Sequence, residues 1–551
     1  MKIVVLIDMK KPYLFYLCII IDSVVTLSEN SEDGELFSSA RAIESLYKKE
    51  IQINKDIELY INNLEEVLLS LKSTMKSITP DVRKEIHPNN PISATMVLKR
   101  CALDWIKITD ILNRTKLIFE NERLLEELSQ FPKEKEMYGA MNGIFLLQET
   151  YDLDPLDFSN GIIQNKYMTP ITVDIQLKID DMEYLGKLSY NRGYYDRAVD
   201  WIMAALMKNN KNKDSSNYIR LNKTLSTLMR AHDEFLEKRG SPAGSDWRTY
   251  VTPFNERLAK KKKYKRALKK NNGNRRYKMV PILGRRLNPR EKWEQFNRLC
   301  RGENLRSPSD EVQLKSFYLH HNDPYLKLGP FKVEVNNIEP SLIVIKDFIF
   351  DREGESYRNY AEDKLSRSFS LSNDGNRQVT LTRTSKQTWL FEKNLTISKI
   401  ITKRIELATG LVAETLYGNE PYQVANYGLG GVYNSHMDSG GTIMPEFNEL
   451  GDRVATVMAY LSDVGAGGGT TFPSLGVKVT PEKGAAVFWY NIDKNGMQDY
   501  NMFHGGCPVL TGSKWITNKW IRQLSNWKKH SCTMSYGKPL KRFEVPSNFP
   551  K

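Results

Sequence analysis

The chain has 551 residues and only five cysteines, none of them in a CxxC pair. That excludes a cysteine-dense scaffold, a zinc ribbon and a thiol-exchange motif. Long apolar runs are also missing: Tyr13 to Ile21 is closed by Asp22, well short of the roughly 20 residues a membrane span needs. The formal charge of +14 is not accompanied by a zinc finger, an RNA-recognition signature or an aromatic-interleaved basic sheet, so no nucleic-acid partner is expected. Much of the excess lies between Lys260 and Arg290, in runs such as Lys260 to Lys263, which read as a solvated linker. Hydrophobic residues at 40% and charged residues at 26% are ordinary for a globular chain. The length exceeds what a single core sustains, so several units are expected.

Lys2, Lys10 and Lys11 precede the short apolar stretch, and polar Ser28-Glu-Asn-Ser follows it. This pattern reads as a cleaved signal over residues 1–27, leading into the lumen of the endoplasmic reticulum. The sequons at Asn113, Asn222 and Asn394 agree with a secretory glycoprotein.

Residues 28–160 read as helical. Ile43, Ile57, Leu64 and Leu71 keep a seven-residue register, Leu46, Ile53, Tyr60 and Val67 fill the seam, and Glu50 alone breaks it. Such a seam suits self-association of two copies, or one face packed inside a helical bundle. Residues 165–240 carry Gly186, Gly193, Ala198 and Ala205 at tetratricopeptide spacing, followed by a degenerate second repeat. On that register Lys187, Tyr190 and Asn191 line a concave side, with Tyr184, Tyr194 and Tyr195 nearby. Aromatic faces suit extended proline-rich peptides, although core packing explains any single tyrosine equally well. A basic linker occupies 241–328. From 329 to 530 short β-branched strands and Gly-rich turns predict an antiparallel barrel or jelly roll, interrupted by a helix from Ile397 to Thr409. Residues 531–551 form a tail.

His436 and Asp438 are separated by one residue in an extended segment, so both side chains face the same way. His504 follows on another expected strand. Two histidines and a carboxylate on jelly-roll strands form the facial triad of non-haem Fe(II) oxygenases, which leaves coordination positions for a 2-oxo acid and O2. Lys514, in the last strand, is placed to receive the far carboxylate of 2-oxoglutarate.

The segments Ala425-Asn-Tyr-Gly-Leu-Gly-Gly-Val-Tyr-Asn-Ser-His-Met-Asp438, Ala466-Gly-Gly-Gly-Thr-Thr-Phe-Pro473, Ala486-Val-Phe-Trp-Tyr-Asn491 and His504-Gly-Gly-Cys-Pro-Val-Leu-Thr-Gly-Ser-Lys-Trp515 resemble the α subunit of the collagen prolyl 4-hydroxylases. Leu299-Cys-Arg-Gly-Glu303 and Leu146-Leu-Gln-Glu-Thr-Tyr-Asp-Leu153 extend the resemblance over nearly the whole mature chain. It implies a multidomain α+β protein with a helical dimerisation region, a tetratricopeptide-like peptide-binding domain and a double-stranded β-helix catalytic domain. It implies a procollagen-proline 4-dioxygenase with iron on His436, Asp438 and His504, 2-oxoglutarate on Lys514 and Tyr427, and peptide facing Tyr433 and Arg453. L-ascorbate would keep the iron reduced. Tyr190, Tyr194 and Tyr195 would bind proline-rich or collagen-like sequence, and protein disulfide isomerase would be the β subunit of an α2β2 tetramer. The family's partner for Cys300 is missing, whereas Cys507 and Cys532 keep the spacing of another family pair. Ser435 and Met437 depart from the family pattern around the HxD pair. The alternatives are a lumenal oxygenase acting on non-collagen proline-rich proteins, and a catalytically silent peptide-binding subunit.

Overall fold

Glu50, the residue that breaks the apolar seam, is fully buried, and Arg100 neutralises it from another helix. The guanidinium reaches both carboxylate oxygens, at 2.5 and 3.0 Å, and the Trp105 indole N–H adds a contact at 3.4 Å. A buried carboxylate requires such a partner. The seam of α1 (Ala40–Ile61) therefore faces helices of its own chain: Ile43, Leu46, Ile53 and Ile57 share one core with α3 (Pro91–Lys99), α4 (Trp105–Thr115) and α6 (Glu134–Tyr151). Helices α2 (Glu65–Ile78) and α5 (Glu122–Ser129) complete this bundle, and a π-helical turn, Arg100–Asp104, joins α3 to α4.

The computed structural model describes residues 39–61, 65–78, 89–115, 122–191, 193–209, 216–238, 289–371, 377–378, 383–440 and 450–529. The expected signal, the Lys260 run, Val379 to Thr382 and Cys532 lie outside them. All described residues belong to one compact unit, and no helix among them is long and apolar enough to cross a membrane.

After the short α7 (Pro155–Ser159) comes a hairpin that the sequence reading missed, β1 (Ile162–Asn165) and β2 (Met168–Thr172). Helices α8 (Ile179–Asn191), α9 (Tyr195–Lys208) and α10 (Ser216–Lys238) follow. Gly186 is needed where α8 crosses α9, because a Cβ there would stand 2.7 Å from the Ile202 side chain. The stretch expected to be linker up to residue 328 instead contains the Pro289–Arg301 helix and a first sheet strand.

The main antiparallel sheet runs β3 (Ser316–Leu319), β4 (Phe331–Asn337), β5 (Leu342–Lys346), β16 (Ala486–Tyr490), β12 (Arg453–Tyr460), β19 (Lys514–Arg522), β10 (Tyr422–Tyr427), β9 (Lys386–Leu390), β6 (Ser366–Arg367). A second sheet, β11 (Tyr433–His436), β17 (His504–Gly506), β14 (Thr470–Phe472) and β15 (Val477–Val479), faces it. Two short pairs, β7 (Ser370–Leu371) with β8 (Arg377–Gln378) and β13 (Ala466–Gly467) with β18 (Val509–Thr511), complete the strands. The central strands are buried on both faces, so period-two alternation sorts their side chains into two cores. Ala455, Val457, Phe488 and Ile521 pack beneath the Thr396–Thr409 helix and its neighbours, whereas Tyr427, Met458, Tyr460, Trp489 and Ile516 point between the sheets. The Thr396–Thr409 helix ends at Gly410 in the left-handed conformation, as the sequence predicts.

The bundle lies directly on the β region. The Ser39 hydroxyl bonds Asn426 of β10 at 2.5 Å, and the Tyr151 hydroxyl donates to the Pro508 carbonyl at 2.6 Å. Gly430, at φ +61, lies so close to Gly143 of α6 that a Cβ there would stand 2.7 Å from the Gly143 Cα.

Candidate active site

His436 and His504 are direct cross-strand partners in β11 and β17, with ring centroids 4.5 Å apart. Each ring engages its Nδ1 with a backbone carbonyl, Asn434 for His436 and Met502 for His504, both at 2.8 Å. That leaves both Nε2 atoms to face Asp438, at 3.4 Å from Oδ1 and 3.6 Å from Oδ2. One ligand atom from each of the three residues lies within 4.8 Å of the others. The donor set and its orientation fit a divalent metal, since a ligating imidazole is normally fixed by a bond at its other nitrogen.

Burial alone would raise the Asp438 carboxyl, but the two imidazoles and Arg453 hold it well below the usual carboxylate range. Burial pushes His504 down to about 4, against the pull of Asp438, so its ring is neutral and available as a ligand. Phe472 and Trp489 pack on the His504 ring, at 5.5 and 4.7 Å between centroids.

Lys514 opens β19 opposite Tyr427 of β10 and points between the sheets. It is only 2% exposed, and burial drives its amine down to about 7. Its Nζ lies 5.2 Å from the Tyr427 ring and 5.7 Å from the Tyr460 ring, and no carboxylate among the described residues pairs with it. A buried, unpaired ammonium is costly unless an anion joins it. Tyr427 is itself buried, with its hydroxyl raised chiefly by desolvation.

Tyr433 stacks on His436 at 3.6 Å between centroids and carries the Arg383 guanidinium 4.4 Å above its ring. Arg453 is placed differently from the expectation that it faces peptide. Its Nε and Nη2 hold both oxygens of Glu420 at 2.6 Å, Nη1 reaches the Asp438 carbonyl at 3.3 Å, and the group lies over Trp520. Glu420 also pairs with Arg522, at 2.9 Å, and Arg453, so anchored, holds the backbone at Asp438.

In α8 and α9, Tyr190 and Tyr195 meet edge to face at 5.3 Å and both keep partial exposure. Tyr194 is buried against Phe145, at 5.1 Å, and belongs to the core rather than to a peptide face. The disulfide is also corrected: Cys507 is bonded to Cys300, not to Cys532. Cys507 immediately follows β17 and packs into the core shared with the Pro289–Arg301 helix, where Cys300 is the thiol within reach. Thr456 on β12 gives no sequence signal of its own. Its hydroxyl donates to Asp438 Oδ2 at 2.6 Å and accepts from Asn491 at 2.9 Å.

A triad of metal-ligating type on neighbouring strands β11 and β17 of the second sheet, with the buried Lys514 of the main sheet between the two sheets, is the site of an Fe(II)- and 2-oxoglutarate-dependent dioxygenase. Residues 422–522 match the model of the 2OG-Fe(II) oxygenase superfamily, and residues 39–165 match that of the prolyl 4-hydroxylase alpha-subunit, N-terminal region. Prolyl 4-hydroxylase subunit alpha-2 of Gallus gallus is 30% identical, with 94% of this chain and 98% of that one covered. Subunit alpha-2 of Caenorhabditis elegans is 32% identical, with 84% of each chain covered. A solved viral collagen prolyl hydroxylase from Paramecium bursaria Chlorella virus-1, in its 2OG complex, is 29% identical over 33% of this chain and 95% of that one, with a TM-score of 0.27. The chain belongs to the prolyl 4-hydroxylase α-subunit family.

Proposed function

We propose that this chain hydroxylates peptidyl proline at carbon 4 in collagen-like sequence, as the catalytic subunit of an assembly in the lumen of the endoplasmic reticulum. The observation that carries the reading is the pairing of a preoriented His436–Asp438–His504 triad with a buried, unpaired Lys514. His436, Asp438 and His504 would hold iron, and Lys514 would hold the 5-carboxylate of 2-oxoglutarate beside Tyr427. Iron and 2-oxoglutarate, when bound, supply the oxidising chemistry, with O2 consumed and succinate and carbon dioxide released. The protein's part is to fix the imidazoles through the carbonyls of Asn434 and Met502, to hold Asp438 through Thr456, and to exclude water with Phe472 and Trp489. Tyr433, at the partly exposed end of β11, would meet the peptide. L-ascorbate would serve as the reductant after uncoupled turnover.

Tyr190 and Tyr195 would offer a second, tetratricopeptide-like contact for proline-rich sequence. Residues 28–160, 165–240 and 329–530 would then be the dimerisation, peptide-binding and catalytic regions. Protein disulfide isomerase would be the β subunit of an α2β2 assembly, with the N-terminal helices pairing two α chains. Asn113, Asn222 and Asn394 are exposed, which suits glycosylation on a secretory route. A second reading, hydroxylation of non-collagen proline motifs, draws on Ser435, whose buried hydroxyl has no hydrogen-bond partner beside the metal ligands.

The test is incubation of the full chain and its disulfide-isomerase partner with Fe(II), 2-oxoglutarate and a Pro-Pro-Gly repeat. Mass spectrometry should find one added oxygen on proline. Hydroxylation of other proline peptides with none on the repeat would select the second reading. Decarboxylation without any hydroxyproline would reject both.

A further inference from the structure

Lys478 is turned away from the candidate active site. Its neighbours Val477 and Val479 pack between the sheets, so alternation along β15 sends Lys478 to the outer face of the second sheet. There it lines a cavity of about 180 Å³ between the β1–β2 hairpin, the end of the Pro289–Arg301 helix and the Gly465–Gly469 turn. A Cβ built on Gly302 would lie 3.9 Å from the Lys478 ammonium, which places that charge at the cavity wall.

Lys478, Arg301 and Asn165 each bring hydrogen-bond donors to this cavity. Arg301 lines it and uses Nε and Nη2 on the carbonyls of Thr150 and Glu149, at 2.6 and 2.9 Å, so among the described residues no carboxylate compensates its charge. The Asn165 amide is oriented by the Tyr167 N–H, which donates to Oδ1 at 2.7 Å, so its buried Nδ2 is left with no acceptor. No aspartate or glutamate among the described residues lines the cavity. Burial lowers the Lys478 amine with no opposing acid. Two cations and an orphaned amide donor around a partly open cleft are the complement of a small oxyanion.

We propose that this cavity is a second carboxylate site, separate from Lys514, which binds a free short dicarboxylate through Lys478, Arg301 and Asn165. Its size suits a ligand of four or five carbons. It also adjoins the first site: a Cβ on Gly469 would meet the Lys478 side chain at 3.1 Å, and one on Gly468 would meet the Lys514 side chain at 3.3 Å. One glycine turn therefore separates the two lysines.

Equilibrium dialysis of labelled succinate against the full-length chain with its partner, free of iron, tests this. Lys478→Met should remove one equivalent of bound succinate, and Lys478→Arg should retain it. Asn165→Asp places a carboxylate where the orphaned amide lies. It should remove the same equivalent and raise the midpoint of thermal unfolding, so a folding defect in Lys478→Met cannot decide the matter alone. Lys514→Ala should leave this equivalent in place whatever its effect on the first site. Equal succinate stoichiometry in the wild type, Lys478→Met and Asn165→Asp would overturn the proposal.

Discussion

The hydroxyl of Thr456 lies 2.6 Å from Asp438 Oδ2, and Asn491 Nδ2 lies 2.9 Å from the same hydroxyl. The chain Asn491, Thr456, Asp438 runs from the residue after β16 through β12 to the Asp438 carboxylate and fixes the rotation of that carboxylate. A carboxylate held in this way pays less ordering entropy on binding metal.

Thr456→Val keeps the shape of the side chain and deletes the donor. Fe(II) affinity, read by metal titration without substrate, should fall about 10- to 100-fold. Thr456→Ser should restore it. An unchanged affinity in Thr456→Val would show that the Thr456 hydroxyl does not orient Asp438.

Lys514 links 2-oxoglutarate affinity to pH. The protonated amine attracts the carboxylate, and burial has lowered its pKa to about 7. As pH rises through 7 the free enzyme loses the charge, so the apparent affinity should weaken by up to about tenfold per pH unit. Lys514→Ala should raise the 2-oxoglutarate requirement by the equivalent of about 2–5 kcal/mol and flatten this dependence. A pH profile that survives Lys514→Ala would move the role to another cation.

Cys300 and Cys507, 207 residues apart, are joined at a Cα separation of 5.5 Å. In the chain-entropy model a loop of that length contributes about 5 kcal/mol to stability. Peptide mapping without reductant should recover a Cys300–Cys507 cross-link, and Cys300→Ser should lower the unfolding midpoint. Recovery of a Cys507–Cys532 peptide instead would restore the pairing that spacing suggested.

The clustering of His436, Asp438 and His504 was legible because alternation brings His436 and Asp438 to one face and because the surrounding Gly-rich segments are specific. The burial of Lys514 was legible from the alternation of the last strand, which aims it between the sheets. The cysteine pairing was not, because it depends on the Pro289–Arg301 helix, which abuts a basic stretch whose charge pattern resembles a linker. Glu50 shows the reverse case: the break in the seam marked a buried partner, but Arg100 could not be named without the packing of α1 on α3. Thr456 was invisible because a threonine in a strand is common, and only the β12 register next to Asp438 gives this one a task. Arg453 was assigned to the peptide by the family resemblance, and nothing in the sequence ties it to Glu420.

Tyr190 and Tyr194 separate binding from folding in the helical region. Tyr190 meets Tyr195 edge to face and keeps an exposed edge, whereas Tyr194 is buried on Phe145. Contacts made on α8 cannot strengthen as a C–H bond breaks elsewhere, so they act as uniform binding. Each aromatic contact with a proline ring contributes about 1 kcal/mol. Tyr190→Ala should therefore raise KM for long proline-rich peptides several-fold, leave kcat nearly unchanged and spare a short peptide that cannot span both regions. Tyr194→Ala should instead cost about 3–5 kcal/mol of stability, as truncating a buried aromatic does. It should affect short and long peptides alike. Steady-state kinetics on a length series, with thermal unfolding of both variants, distinguishes the two. Equal losses for short and long peptides in Tyr190→Ala would make Tyr190 a core residue as well.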